Sequence, residues 1–146
     1  MVEGLNFMPV SVPQSLGPLF GLHFTLLSET EIVRLVAEHV PSPEEGVHLV
    51  VTPNIQHVAL MRENGEFRKA CEQAEILTCD GFPLYYYARC RGLRLPGRVT
   101  GREITQDLFA MPEALKKHRI FAVVDSERTV LVARQSASAH EMEDRI

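Results

Sequence analysis

Long apolar runs, glycine fingerprints, clustered lysines and paired metal ligands are all missing from this chain, and each absence removes a class of function. No apolar run reaches the roughly 20 residues that a membrane-spanning helix needs. Neither G-x-G-x-x-G nor G-x-x-x-x-G-K-[ST] occurs, which argues against a typical dinucleotide or P-loop site. A Ser or Cys nucleophile elbow is also missing. The net charge is −4, without a Lys/Arg block. Phosphate-backbone binding needs a concentrated cationic surface, so no nucleic-acid partner is expected. Cys71, Cys79 and Cys90 are odd in number, irregularly spaced and set in apolar segments. That pattern fits buried cytosolic thiols better than a disulfide framework or a zinc knuckle. The six histidines are dispersed with no H-E-x-x-H pairing, so neither a metal nor another cofactor is expected.

The first twenty residues have no positive n-region, and Pro9, Pro13 and Pro18 interrupt any helix there, unlike a signal peptide. The length of 146 residues suits one domain with a real core. We divide it into a Pro-containing N-terminal segment (1–18), a single α/β domain (19–135) and a polar tail expected to fray (136–146).

Within the central part, segments of two periodicities alternate. Leu19 to Leu27 reads as a strand, with Phe24 and Leu26 on one face and His23 and Thr25 on the other. Ser28 followed by Glu31 is a capping box and predicts a helix carrying Ile32, Leu35, Val36 and Val40, closed by Pro41-Ser42-Pro43. Val47 to Val51 is short, β-branched and almost wholly apolar, as in a strand covered on both faces. Ile55 to Met61 and Phe67 to Ala74 read as helices with a break near Asn64-Gly65, and Ile76 to Cys79 as a second buried strand. Pro83 suits the first turn of a further helix and Gly92 its end. Thr100 and Glu103 form a second capping box ahead of Ile104, Leu108 and Phe109. Pro112 is expected to restart that helix, Ile120 to Val124 to form a third strand before Asp125-Ser126, and Val130 to Arg134 a last helix. Alternation of this kind specifies an α/β fold with a parallel sheet and right-handed crossovers.

Ligands of such sheets sit beyond the carboxyl ends of the strands. Thr52-Pro53-Asn54, Asp80-Gly81 and Asp125-Ser126 each follow a predicted strand, so all three should emerge on one edge. If the first two strands are neighbours, their polar ends share a crevice. Asp80 is placed there either as a general base or as a cap for the helix near Pro83. Gly81 lets another molecule approach the backbone. Thr52 and Asn54 suit hydrogen bonding to sugar hydroxyls, or else form an Asx-type turn. Arg98 is either a diphosphate ligand beside the Thr100-Gly101 helix start or a solvated loop residue. Tyr85, Tyr86 and Tyr87 offer rings for stacking, but three in a row point in different directions and one belongs to the core. His57 reads as a packed or capping histidine.

In order and spacing, V-T-P-N-x-x-H at Val51 to His57, D-G at Asp80-Gly81 and R-V-T-G at Arg98 to Gly101 resemble glycosyltransferase family 26, the WecG/TagA/CpsF family. The motif match runs from about Gly21 to about Val124. The resemblance implies a Rossmann-like parallel sheet sandwiched by helices. It also implies inverting, metal-independent transfer of an N-acetylmannosamine-type sugar or glucose from a UDP-sugar to a polyprenyl-diphosphate-linked saccharide in surface-polymer synthesis. Asp80 would be the general base, Thr52 and Asn54 would hold substrate, and Gly81, Arg98 and Gly101 would line the same pocket. The protein would be cytoplasmic, with peripheral contact at the inner face of the membrane. Glu103 stands where members commonly carry Asp. Val124 to Glu127 replaces a Gly-rich turn, and members usually continue into a further α/β half. The sequence therefore reads as C-terminally truncated relative to the family. Its alternative function is a non-catalytic nucleotide-sugar-binding or interaction module, and exposed sheet edges would favour a homo-oligomer.

Overall fold

The architecture follows from one two-stranded parallel sheet whose two faces take different helices. A computed structural model describes residues 12–13, 17–39, 46–111, 123 and 128. The expected elements around Pro112, Ile120–Val124 and Val130–Arg134, the Asp125-Ser126 stop and the tail lie outside the described residues. The elements run α1 (Glu29–Glu38), β1 (Val50–Val51), α2 (Ile55–Glu63), α3 (Gly65–Gln73), β2 (Ile76–Leu77), α4 (Phe82–Cys90) and α5 (Gly101–Phe109).

β1 and β2 are parallel neighbours, with Val50 opposite Ile76 and Val51 opposite Leu77. The pairing continues beyond these residues. The carbonyls of Leu49, Val51 and Pro53 accept from the N–H groups of Ile76, Thr78 and Asp80 at 3.3, 3.0 and 3.0 Å. This period of two is the parallel ladder itself, and it fixes Asp80 beside Pro53. The regular strands are thus shorter than the predicted Val47–Val51 and Ile76–Cys79, and Val47 is exposed.

Side chains alternate across this sheet. Leu77, Cys79 and Val51 join a cluster with Phe24, Val58, Met61, Cys71, Leu84 and Ala88, so α2, α3 and α4 cover one face. Ile76 and Val50 join Ile32, Val33, Val99 and Ile104, so α1 and α5 cover the other. The apolar composition of both strands is explained by this double cover.

The predicted strand at Leu19–Leu27 is a correction. Leu19 and Leu22 exchange backbone hydrogen bonds of 2.9 and 3.0 Å around a tight turn. Its central residues, Phe20 and Gly21, have φ of 58° and 85°. Positive φ at both positions is the type I′ turn, which Gly accepts freely and Phe does not. The Phe20 ring stacks on Tyr87 with centroids 5.4 Å apart, a contact that offsets the strain. Beyond the turn, Phe24 and Thr25 are both buried, where a strand would have separated them. The reason is chemical: Thr25 Oγ1 accepts from Leu77 N–H at 2.9 Å while Thr25 N–H donates to Leu77 O at 2.8 Å. A side-chain oxygen here does what a neighbouring strand's carbonyl would do.

Helix limits follow their caps. Ser28 and Glu31 form the expected reciprocal box, with the Glu31 carboxylate accepting from Ser28 N–H at 2.7 Å and from its hydroxyl at 2.6 Å. Asn64 ends α2 and also caps α3, its Oδ1 accepting from Phe67 N–H at 2.9 Å, so one residue makes the break. The Ser28 hydroxyl, then its N–H, hold the Glu31 carboxyl below its ordinary value of 4.5. A depressed carboxyl contributes stability above the unfolded value and loses it as pH falls through the folded one. Glu31→Gln keeps a capping side chain. Wild type should therefore melt above this variant at neutral pH, and the difference in Tm should begin to shrink as pH falls below about 4.5 and vanish only below the lower folded value. A pH-independent difference would contradict this account.

Candidate functional site

The ladder and the caps bring the three sequence motifs to one edge of the sheet. Asn54 is the N-cap of α2, and its Oδ1 accepts from Gln56 and His57 N–H at 2.9 and 3.1 Å. His57 Nδ1 returns the bond by accepting from Asn54 N–H at 3.1 Å. The histidine is a capping residue, and the Asx-type turn at Asn54 is real. Its Nδ2 amide has no partner among the described residues.

At the end of β2, the polypeptide turns through Gly81, whose φ of 87° an L side chain rarely adopts. A Cβ placed at Gly81 would stand 3.9 Å from Asn54 Cβ. Gly81, not Asp80, is the N-cap of α4, and this helix has no side-chain cap bond. The capping role for Asp80 is therefore excluded. Among the described residues no hydrogen bond or ion pair holds the Asp80 carboxylate. The neighbouring Cys79 thiol is pushed up to about 12, first by burial and then by the Asp80 charge, so it stays protonated at neutral pH. Cys71 is also buried, whereas Cys90 on α4 is exposed, correcting the expectation of three buried thiols.

Val99 carries the third motif to the same place. Its N–H donates to Cys79 O at 3.1 Å, and its carbonyl accepts from Thr78 Oγ1 at 2.9 Å. Thr100 then caps α5 in a reciprocal box with Glu103. Gly101 begins the helix against Thr52, and a Cβ there would meet Thr52 Oγ1 at 3.1 Å, close enough to push the threonine aside. Thr52, Asn54, Asp80, Gly81 and Gly101 thus adjoin one another through backbone rungs and close packing.

Asp80 and Arg98 face a common open cleft of about 420 Å³, lined also by Thr100, Arg102, Glu103 and Gln106. Thr52, Asn54, Gly81 and Gly101 lie beside this wall and do not line it. Arg98 is no solvated loop residue. Its Nη2 pairs with Glu103 Oε1, and its guanidinium lies 5.2 Å from the centroid of the Phe82 ring. The Thr100 hydroxyl first, then Arg98 and the Thr100 N–H, hold the Glu103 carboxyl below the usual carboxylate range against the opposing effect of burial. Glu103 is ionised at neutral pH and fixes the arginine.

With Thr100 N–H and Glu103 N–H taken by the box, the first-turn N–H groups of Gly101 and Arg102 remain without intrahelical partners. A helix N-terminus flanked by two arginines suits an anion, and an unpaired carboxylate across from it suits a proton. The sequence reasoning missed Arg102 and Gln106, although their four-residue spacing places them on one helix face beside Glu103. None of the tyrosines lines the cleft: Tyr85 packs partly into the core, Tyr86 stacks on Phe82 and Tyr87 on Phe20.

A second cavity of about 130 Å³ opens at the opposite end of the sheet, between α1 and the starts of both strands. Val12, Leu35, Val36, Val50 and Ile76 make it mostly apolar, with His48 Nδ1 and Glu75 Oε2 paired at 2.7 Å in its wall. It is remote from the three motifs.

A model of the WecG/TagA/CpsF glycosyl transferase family matches residues 18–143, extending beyond the motif resemblance at both ends. No curated protein matches the sequence.

Proposed function

The chain belongs to the WecG/TagA/CpsF glycosyltransferase family, and on that premise we propose that it moves a sugar, of the N-acetylmannosamine type or glucose, from a UDP-sugar to a polyprenyl-diphosphate-linked saccharide with inversion at the anomeric carbon. The observation that carries this reading is the Asp80 carboxylate, free of structural bonds among the described residues, sharing a cleft with Arg98, Arg102 and the N-terminus of α5. In this reading Asp80 takes the proton of the acceptor hydroxyl as its oxygen attacks the anomeric carbon. The bond from that carbon to the diphosphate breaks, and its electron pair leaves with UDP. Developing negative charge on the diphosphate is met by the arginines and by the Gly101 and Arg102 N–H groups, fixed in advance by the capping box. Thr52 and the Nδ2 amide of Asn54, beside the cleft, are the groups assigned to holding the sugar. Positive charge then comes from the protein itself, so no metal is required.

The fold that fits this chemistry is a Rossmann-like sheet, of which β1 and β2 with their two helical layers are the described part. The place of action that fits a lipid-linked acceptor is the cytoplasmic face of the membrane, reached as a peripheral protein. Among the described residues no helix is long and apolar enough to cross a membrane.

The test is release of UDP from a panel of UDP-sugars in the presence of a lipid-linked acceptor analogue, with and without a chelator. Acceptor-dependent release that survives the chelator is the expected result. A second reading, a nucleotide-sugar-binding module without turnover, is favoured by one observation: Glu103 already occupies the Arg98 guanidinium. Binding of UDP-sugar with no release under any acceptor would select it.

A further inference from the structure

All three tyrosines of the chain, Tyr85, Tyr86 and Tyr87, fall on α4, and Phe82 opens the same helix. Helical spacing turns Leu84 and Ala88 into the core and leaves Phe82 and Tyr86, one turn apart, facing outward. The two side chains are 57% and 59% exposed, values unusual for their size. Their rings stack with centroids 5.9 Å apart and planes 21° from parallel, so they make one aromatic surface. Structural duties account for the neighbouring tyrosines. Tyr85 packs on the core and accepts from Arg89 Nη1 at 3.2 Å, while Tyr87 stacks on Phe20. Among the described residues no hydrogen bond holds the Tyr86 hydroxyl. The exposed pair is continuous with the candidate site: Phe82 stands two residues after Asp80, and the guanidinium of Arg98, part of the cleft wall, lies 5.2 Å from the Phe82 centroid.

We propose that Phe82 and Tyr86 are the platform on which the acceptor's saccharide stacks, a neutral pyranose seated at the rim of the Asp80 cleft. A pyranose presents a face of C–H groups and a rim of hydroxyls. The electron-rich face of an aromatic ring attracts such C–H groups, and closing the two apolar faces together removes both from water. The Tyr86 hydroxyl is then placed to bond the rim. Reaction geometry selects the acceptor over the donor for this place. Inversion sets the incoming hydroxyl and the leaving diphosphate on opposite sides of the anomeric carbon, and uridine lies beyond the diphosphate. Arg102 and the α5 N-terminus mark the leaving side, whereas Asp80, with Phe82 following it, marks the side of attack. The inference rests on the transferase reading for the sugar's role as acceptor, though not for the measurement of sugar binding.

The chain has no Trp, so its intrinsic fluorescence comes from the tyrosines of α4 alone. Titrating the full chain with the methyl glycosides of glucose and N-acetylglucosamine should give a saturable change in that emission. Phe82→Leu keeps an apolar side chain without the ring and should weaken binding by roughly 2- to 12-fold, the worth of an aromatic contact. In transfer assays with a lipid-linked acceptor analogue, Tyr86→Leu should raise KM for the acceptor over the same range and leave KM for the UDP-sugar unmoved. Tyr86→Phe should restore most of the loss. Both side chains are exposed, so circular dichroism should show the fold unchanged. No change in emission with either glycoside, equal affinity in Phe82→Leu, or a rise in KM for the donor in place of the acceptor would overturn the proposal. Glycoside binding without UDP release would leave the platform standing and count against the transferase; acceptor-dependent release with an unchanged acceptor KM in Tyr86→Leu would do the reverse.

Discussion

Replacing Asp80 by Asn should lower kcat for sugar transfer by roughly 10²–10⁴-fold, the range over which a positioned general base acts, while leaving the melting temperature unchanged. The two halves of this expectation have separate physical sources. Catalytic loss follows because an amide cannot accept the acceptor's proton, whereas Asp80 stands at the edge where the Arg98 and α5 groups gather. Retained stability follows because the fold uses the Asp80 backbone, whose N–H donates to Pro53 O at 3.0 Å, and among the described residues gives the side chain no bond. Most aspartates at the start of a helix cap it, and their loss costs about 1 kcal/mol; here Gly81 occupies the cap position. Transfer kinetics and a thermal melt on the same preparation decide the matter. UDP release undiminished in the variant would remove Asp80 from the mechanism, and a lowered Tm would restore the capping role.

The largest effect on stability is expected from Phe24→Ala, at roughly 3–5 kcal/mol. Phe24 is fully buried in the cluster that joins the N-terminal segment to α2, α3, α4 and the Leu77 face of β2. Truncation leaves a cavity there that the surrounding helices can close only in part. It also weakens the seat of Thr25, the next residue, which holds both backbone groups of Leu77. A fall in Tm on the order of 10 °C is the corresponding thermal change, and the urea midpoint should move with it. A loss of less than about 1 kcal/mol would mean that the segment before α1 is an appendage to the core, not a part of it.

What could be read beforehand was local. Ser28 with Glu31, Thr100 with Glu103, and Pro83 ahead of Leu84 each announced a helix start within a residue of where it stands, because a cap is chemistry between near neighbours in sequence. The apolar runs at Val50 and Ile76 announced two strands of a parallel sheet, whereas their direct pairing is set by the fold and was open in the sequence. The segment from Leu19 to Leu27 misled because its alternation of residue types looks like a strand. Its actual partner is the Leu77 backbone, 52 residues from Thr25, whose own hydroxyl and N–H hold it, and no local pattern encodes that. At the site, Asp80, Thr52, Asn54, Gly81, Arg98 and Gly101 were identifiable as motif residues, and the fold gathers them at one edge. The pairing of Arg98 with Glu103 across a helix start, and the Phe82 ring beneath the guanidinium, depend on side-chain directions that spacing alone leaves open.

The hydroxyl of Thr25 has one more consequence, concerning self-recognition between sheets. Leu77 N–H and C=O are taken by Thr25, Cys79 C=O by Val99, and the N–H groups of Ile76, Thr78 and Asp80 by carbonyls on the β1 side of the ladder. A foreign strand approaching β2 therefore finds both backbone groups of Leu77 already taken, and templating at that rung must first peel the Leu19–Thr25 segment from the core. A two-atom interaction from a polar side chain thus serves as the guard of an apolar strand.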